Sequence, residues 1–149
     1  MSVNERANLK LLGKNQEDLK VISAYLQDSI LIIKDTVFLK QNRTFVMIVN
    51  RFMWEDAEKG VFRQNKRIRS AVKFDEVIKV ESRNINQKNK NKLLECLAIK
   101  CSSTFDETYK IKIFFAGDSI ITITSEVIEV TLHDLGKPWQ VKHIPVHKI

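Results

Sequence analysis

The stretch that most constrains this chain is Thr44-Phe45-Val46-Met47-Ile48-Val49-Asn50-Arg51-Phe52-Met53-Trp54-Glu55. It is the longest run rich in β-branched and aromatic residues, and it lies between turn signals, so it reads as a strand. Alternation sends Val46, Ile48, Asn50, Phe52 and Trp54 to one face and Phe45, Met47, Val49, Arg51 and Met53 to the other. Both faces are apolar as far as Val49, the pattern of a central strand covered on two sides. The polar pair Asn50-Arg51 then breaks the run. A buried polar group without a partner costs roughly 1–3 kcal/mol, so the pair needs hydrogen bonds. Asn50, Arg51, Phe52, Trp54 and Glu55 are therefore a candidate site. It is read first as a polar network that holds the fold, with Arg51 pairing to Glu55 or Asp28. The alternative is a polar spot in a pocket lined by Phe52 and Trp54.

Upstream, Asn15 is placed to cap a helix, with Glu17 and Asp18 in the first turn where the helix dipole favours negative charge. Leu19, Ile22 and Leu26 supply one apolar stripe, and the helix ends near Asp28. Leu9 to Leu12 is a short strand or extended lead-in. Residues 30–33 and 37–40 read as two strands separated by a turn at Lys34-Asp35. The short connections onward to the central strand make an antiparallel meander.

Downstream, residues 68–74 alternate as a half-exposed strand, and residues 77–84 form another. Asn86 to Lys92 is polar and reads as a hairpin tip. Residues 93–101 and 109–115 are further strands, and Ala116-Gly117-Asp118 turns tightly into residues 119–124. The β-branched Val127, Ile128, Val130 and Thr131 argue for a strand, but Ser125-Glu126, the spacing of Ile128, Leu132 and Leu135, and the stop signal Gly136 with Pro138 decide for a helix near the C-terminus. The tail is irregular from about residue 138. The expected fold is therefore α+β. An N-terminal helix precedes about seven mostly antiparallel strands in a strongly bent sheet or pleckstrin-homology-like barrel, closed by a helix near the C-terminus.

With 149 residues, the chain is read as a single domain over residues 1–149. No apolar run approaches the roughly 20 residues a membrane helix needs, and no secretory leader is read, so the expected address is the cytoplasm with no membrane contact. Cys96 and Cys101 stand five apart in a strand, which points them to opposite faces and makes them free thiols. His133, His143 and His147 are the only histidines, and Pro145 interrupts the last two, so no metal site is expected. No nucleophile elbow and no clustered glycines are present. No catalytic residue is named and no cofactor is expected.

A net charge of +7 leaves nucleic acid open as a partner. Arg63, Lys66, Arg67 and Arg69, with Lys88, Lys90 and Lys92, are the candidate anion or nucleic-acid patch. Phe62 is the only aromatic close by in sequence.

Ala24-Tyr25-Leu26-Gln27-Asp28, Asn50-Arg51-Phe52-Met53-Trp54-Glu55, Phe115-Ala116-Gly117, Asp134-Leu135-Gly136-Lys137-Pro138-Trp139 and Pro145-Val146-His147 follow one another in this order. Together they resemble an alphaproteobacterial family classed as domain of unknown function 2948. Two positions depart from its pattern: Tyr25, where a His is expected, and Asp118, where a second Gly is expected. The resemblance implies a cytoplasmic protein and carries over no activity. The reading that remains is a non-catalytic binding or adaptor module, recognising a protein, a peptide or a second copy of itself. The alternative is a nucleic-acid-binding protein using residues 63–69 and 88–92.

Overall fold

The computed structural model describes residues 8–57, 65–141 and 145. Its elements are β1 (Lys10–Gly13), α1 (Gln16–Leu26), β2 (Ile30–Leu39), β3 (Thr44–Phe52), the single-turn helix α2 (Trp54–Ala57), β4 (Lys66–Phe74), β5 (Val77–Arg83), β6 (Leu93–Ser103), β7 (Tyr109–Phe115), β8 (Ser119–Ser125) and β9 (Val130–Gln140). The first helix follows its sequence signals. The Asn15 side chain accepts from the Asp18 N–H at 2.8 Å, and the Lys14 N–H donates to the Asp18 carboxylate at 2.9 Å. This satisfies N–H groups around the helix start. Leu19, Ile22 and Leu26 are buried, and Asp28 takes a left-handed φ of 63° that turns the chain into β2.

Among the described residues nine antiparallel strands form one open sheet in the order β1-β9-β4-β3-β2-β6-β7-β8-β5. Residues 30–32 of β2 pair with residues 93–95 of β6, and this corner joins two leaves, β1-β9-β4-β3-β2 and β6-β7-β8-β5. The leaves face each other. Leu31, Met47, Val72 and Phe74 of the first share one core with Leu94, Ile111, Ile113 and Ile123 of the second. At the far end, where β4 passes to β5 and β8 to β9, the Val77 N–H donates to the Arg43 C=O (2.8 Å) and links the leaves, while Asp75 N–H to Glu129 C=O (2.9 Å) and Glu126 N–H to Glu76 C=O (3.0 Å) extend the β4–β9 and β5–β8 ladders. The α1 helix covers one open side between the leaves, with Ser23 Oγ accepting from the Ile99 N–H of β6 at 2.9 Å.

This architecture corrects the expected α+β fold and barrel. The protein is mostly sheet, with nine strands where about seven were expected, and no helix forms near the C-terminus among the described residues. The segment read as that helix is β9. Val130, Leu132 and Asp134 alternate inward with period two, and the β-branched residues Val130 and Thr131 suit a strand. Gly136 (φ 68°) and Pro138 occupy a bulge, where the register against β4 shifts between Arg67 and Arg69. A bulge tolerates both a left-handed glycine and a proline without an N–H.

Three local expectations also change. Lys34-Asp35 is a bulge inside one continuous β2 and not a turn between two strands. The segment 86–92 does not close a hairpin, because β5 pairs with β8 and β6 with β7. A second bulge, between Cys96 and Ala98, shifts the phase of β6 by one residue. Cys96 and Cys101 therefore lie opposite the inward Phe115 and Ile111, on the same face. Both thiols are free.

Candidate functional site

The polar interruption in β3 resolves into a buried ion network. Arg51 is 0% exposed, on the inner face beyond Val49. Its Nε donates to Asp134 Oδ1 and one Nη to Asp134 Oδ2, each at 2.8 Å. The two Nη atoms also bind the Glu55 carboxylate at 2.9 and 2.7 Å. Both pairings are bidentate, the geometry that suits a guanidinium fork. Ser70 Oγ on β4 donates to Asp134 Oδ1 at 2.6 Å, and the Asp134 N–H donates to the Leu9 carbonyl at 2.9 Å. The Tyr25 ring lies 5.5 Å from the guanidinium carbon.

The electrostatics follow from that geometry. Burial works to lower the Arg51 pKa, but the hydrogen bonds and charges of Asp134 and Glu55 outweigh it and hold the group above the ordinary arginine value. For Asp134, burial works upward, and the bonds from Arg51 and Ser70 outweigh it, so the carboxyl sits below the usual range. Arg51 is thus a permanent cation whose donors are taken up by two carboxylates.

The rest of the family-marking segment packs around this centre. The strand ends at Phe52, and Trp54 and Glu55 belong to α2. The Trp54 indole N–H donates to the Gln27 carbonyl at 2.8 Å, and its ring meets Phe52 edge-on at 4.6 Å. Asn50 gives its carbonyl to Arg67 Nη1 at 2.9 Å, and the same Nη1 reaches the Asp28 carbonyl at 3.1 Å. Asn50, Arg51, Phe52, Trp54 and Glu55 are therefore gathered into one region. Phe52 is 0% exposed, and none of the five lines either of the two cavities described next.

The larger cavity lies between β2 and β5. It is a cleft of about 450 Å³. Val37 and Phe38 of β2, Phe45 of β3 and Val80 of β5 give it apolar walls, with Lys34 and Lys90 among its polar lining. Beyond residue 34, β2 has β3 on one side and no strand on the other among the described residues, while β5 is the last strand of its leaf. Two sheet edges thus border one apolar cleft. A smaller groove lies between Leu19, Ser23 and Ile99, under the first half of α1. The sequence pointed to neither, since the cleft draws its walls from five strands and a loop. Val37, an apolar residue of the cleft wall, is about half exposed on β2.

The basic residues read as a patch are dispersed. Arg63 lies outside the described residues. Lys66 is half-buried at the start of β4. Arg67 is committed to two carbonyls and packs over Phe52 at 5.8 Å. Arg69 points toward Asp35 at 3.8 Å. Lys88, Lys90 and Lys92 are exposed in the segment between β5 and β6, which lies along β2 through the Lys34 N–H to Lys90 C=O bond of 3.0 Å. His133 is exposed on β9, while Phe62, His143 and His147 fall outside the described residues. Among the described residues, no three of His, Cys, Asp and Glu gather as a metal-binding group, and no helix is long and apolar enough to cross a membrane.

Fold and site define a class of protein: an antiparallel two-leaf sheet domain with an ion network locked in one leaf and an apolar cleft at its side. The chain belongs to the family described as protein of unknown function, domain of unknown function 2948, whose pattern it matches over residues 9–147. No curated protein and no solved structure matches it.

Proposed function

We propose that the protein is a non-catalytic binding module of the cytoplasm that takes an extended segment of a partner protein into the cleft between β2 and β5. The observation that carries this reading is the pair of sheet edges bordering an apolar cleft. A sheet edge presents backbone donors and acceptors that an added strand satisfies, and alternate side chains of that strand fill the apolar floor. The volume of about 450 Å³ falls in the range of ligand sites and accommodates a few side chains. Lys34 and Lys90 favour an acidic residue in the incoming segment.

The test uses a fluorescein-labelled peptide of alternating valine and glutamate. Saturable binding by anisotropy is expected, with loss in Ser82→Trp, which fills the cleft from the exposed edge strand β5. Equal binding by the wild type and that variant overturns the reading. Sedimentation of the unliganded protein distinguishes a second copy as the occupant, because a dimer that Ser82→Trp dissolves assigns the cleft to self-association.

A further inference from the structure

We propose that the outer face of β6-β7-β8-β5 binds the phosphate backbone of a single-stranded nucleic acid, a site separate from the cleft and independent of it. The strand register assembles the face. Lys100 lies directly opposite Lys112, and Ser102 opposite Lys110. Lys112 then faces Thr122, and Lys110 faces Thr124. On β5, Lys79 faces Thr124, Glu81 faces Thr122 and Arg83 faces Ile120, so the β5 margin carries one carboxylate between two cations. The intervening residues Ile99, Ile111, Ile113, Ile121 and Ile123 point inward and are buried, which commits the basic set to the other side. Lys79, Arg83, Lys100 and Lys112 are exposed, and Lys110 is half-buried.

The arrangement carries an internal cost. Like charges directly opposite each other on neighbouring strands destabilise a sheet, and Lys100 and Lys112 are such a pair. Among the described residues no carboxylate lies within 4.0 Å of Lys100, Lys110, Lys112 or Arg83, whereas Lys79 meets Glu81 at 3.5 Å. An anion bridging the lysines removes the repulsion. Residues two apart on a strand are about 6.6 Å apart, and neighbouring strands lie about 4.8 Å apart, so Lys100, Lys110 and Lys112 form a close array for consecutive phosphates. Ser102, Thr122 and Thr124 add hydroxyl donors between them. Phe114, half-buried on the same face with Lys100 at 5.7 Å over its ring, offers an aromatic surface for a base.

The same features argue against a bilayer. The fully exposed aromatic Phe105, at the β6–β7 turn, is the residue a bilayer would take up, and it is followed directly by Asp106 and Glu107, whose charges are costly to carry into an apolar layer. The face is also distinct from residues 63–69 and 88–92, none of which lies on these four strands.

The experiment titrates a fluorescein-labelled oligothymidylate with the full chain. Affinity is expected to fall roughly 20- to 50-fold between about 50 and 200 mM salt, as for three or four phosphates neutralised on a single strand. The double variant Lys100→Gln/Lys112→Gln should bind at least about tenfold more weakly and show a flatter salt dependence, with an unfolding midpoint equal to or above wild type. A merely structural role for the two lysines would lower that midpoint instead. Lys88→Gln/Lys92→Gln should leave binding unchanged. Absence of oligonucleotide binding overturns the proposal, as does undiminished binding by the Lys100/Lys112 variant. Equally tight binding of polyglutamate or phosphatidylserine vesicles through the same two lysines reassigns the face and overturns it as well.

Discussion

Arg51 and Asp134 stand 83 positions apart in the chain and meet through two parallel hydrogen bonds of 2.8 Å each. Removing one partner leaves an uncompensated buried charge. Arg51→Met should therefore cost about 3–5 kcal/mol, read as a lowered urea midpoint. The triple variant Arg51→Met/Asp134→Leu/Glu55→Leu should recover a large part of that loss, because no charge is then stranded. A triple variant no more stable than the single one would mean that the network contributes more than compensation of its own burial.

Asp134 sets an acid limit. Its folded pKa lies below the ordinary carboxylate value, through its bonds from Arg51 and Ser70 acting against burial. The stability it contributes is thus fully present above its unfolded pKa of about 3.9 and is lost as pH falls through the folded value. Thermal midpoints of wild type and Asp134→Asn should be well separated near neutral pH and converge below about pH 4. Curves that stay parallel to the acid end would remove Asp134 from the acid response.

The two thiols should react in sequence. Burial, assisted by the Asp28 charge, pushes Cys96 up to about 12, and burial raises Cys101 as well. Only the thiolate attacks a disulfide reagent. At mildly alkaline pH the folded protein should therefore release one equivalent slowly, from the half-buried Cys101, and a second only in denaturant. Cys101→Ser should abolish the native reaction. Because the Cys96 pKa is raised in the fold, its contribution to stability is present below its unfolded value of about 8.5 and declines as pH rises toward 12.

Two backbone positions give smaller, local effects. Gly136 has a φ of 68° and open space where a Cβ would lie, so Gly136→Ala should destabilise by about 1 kcal/mol through backbone strain alone. Asn15→Ala removes the acceptor for the Asp18 N–H and should cost about 1 kcal/mol. Chemical denaturation measures both, and the sum should hold in the double variant, since the changes sit at separate sites.

What the sequence made legible follows the range of each interaction. The α1 helix was readable because its cap, acidic first turn and apolar stripe all lie within twelve residues. The β7–β8 hairpin was readable because Gly117 and Asp118 supply the left-handed turn in place. The β9 strand was misread because Gly136 and Pro138 mark a helix stop and a strand bulge with the same letters. The β-branched Val130 and Thr131 lean toward the strand, but the pairing with β4, a partner more than fifty residues earlier, decides between the two. The inward phase of Cys101 depends on a bulge at Leu97 that no local residue announces. Glu55 was nameable as an Arg51 partner at four residues, but Asp134 was not, and it completes the candidate site.

The place of β9 has a consequence for the order in which this chain assembles. β9 lies in the interior of its leaf, between β1 and β4, and among the described residues β1 pairs with no other strand. Until residue 130 and those after it have left the ribosome, β1 lacks the β9 partner it pairs with and Arg51 lacks the Asp134 carboxylate. The leaf that holds the ion network is therefore completed only once β9 has emerged. Contacts of such long sequence separation slow folding, and the Arg51–Asp134 pair is among them.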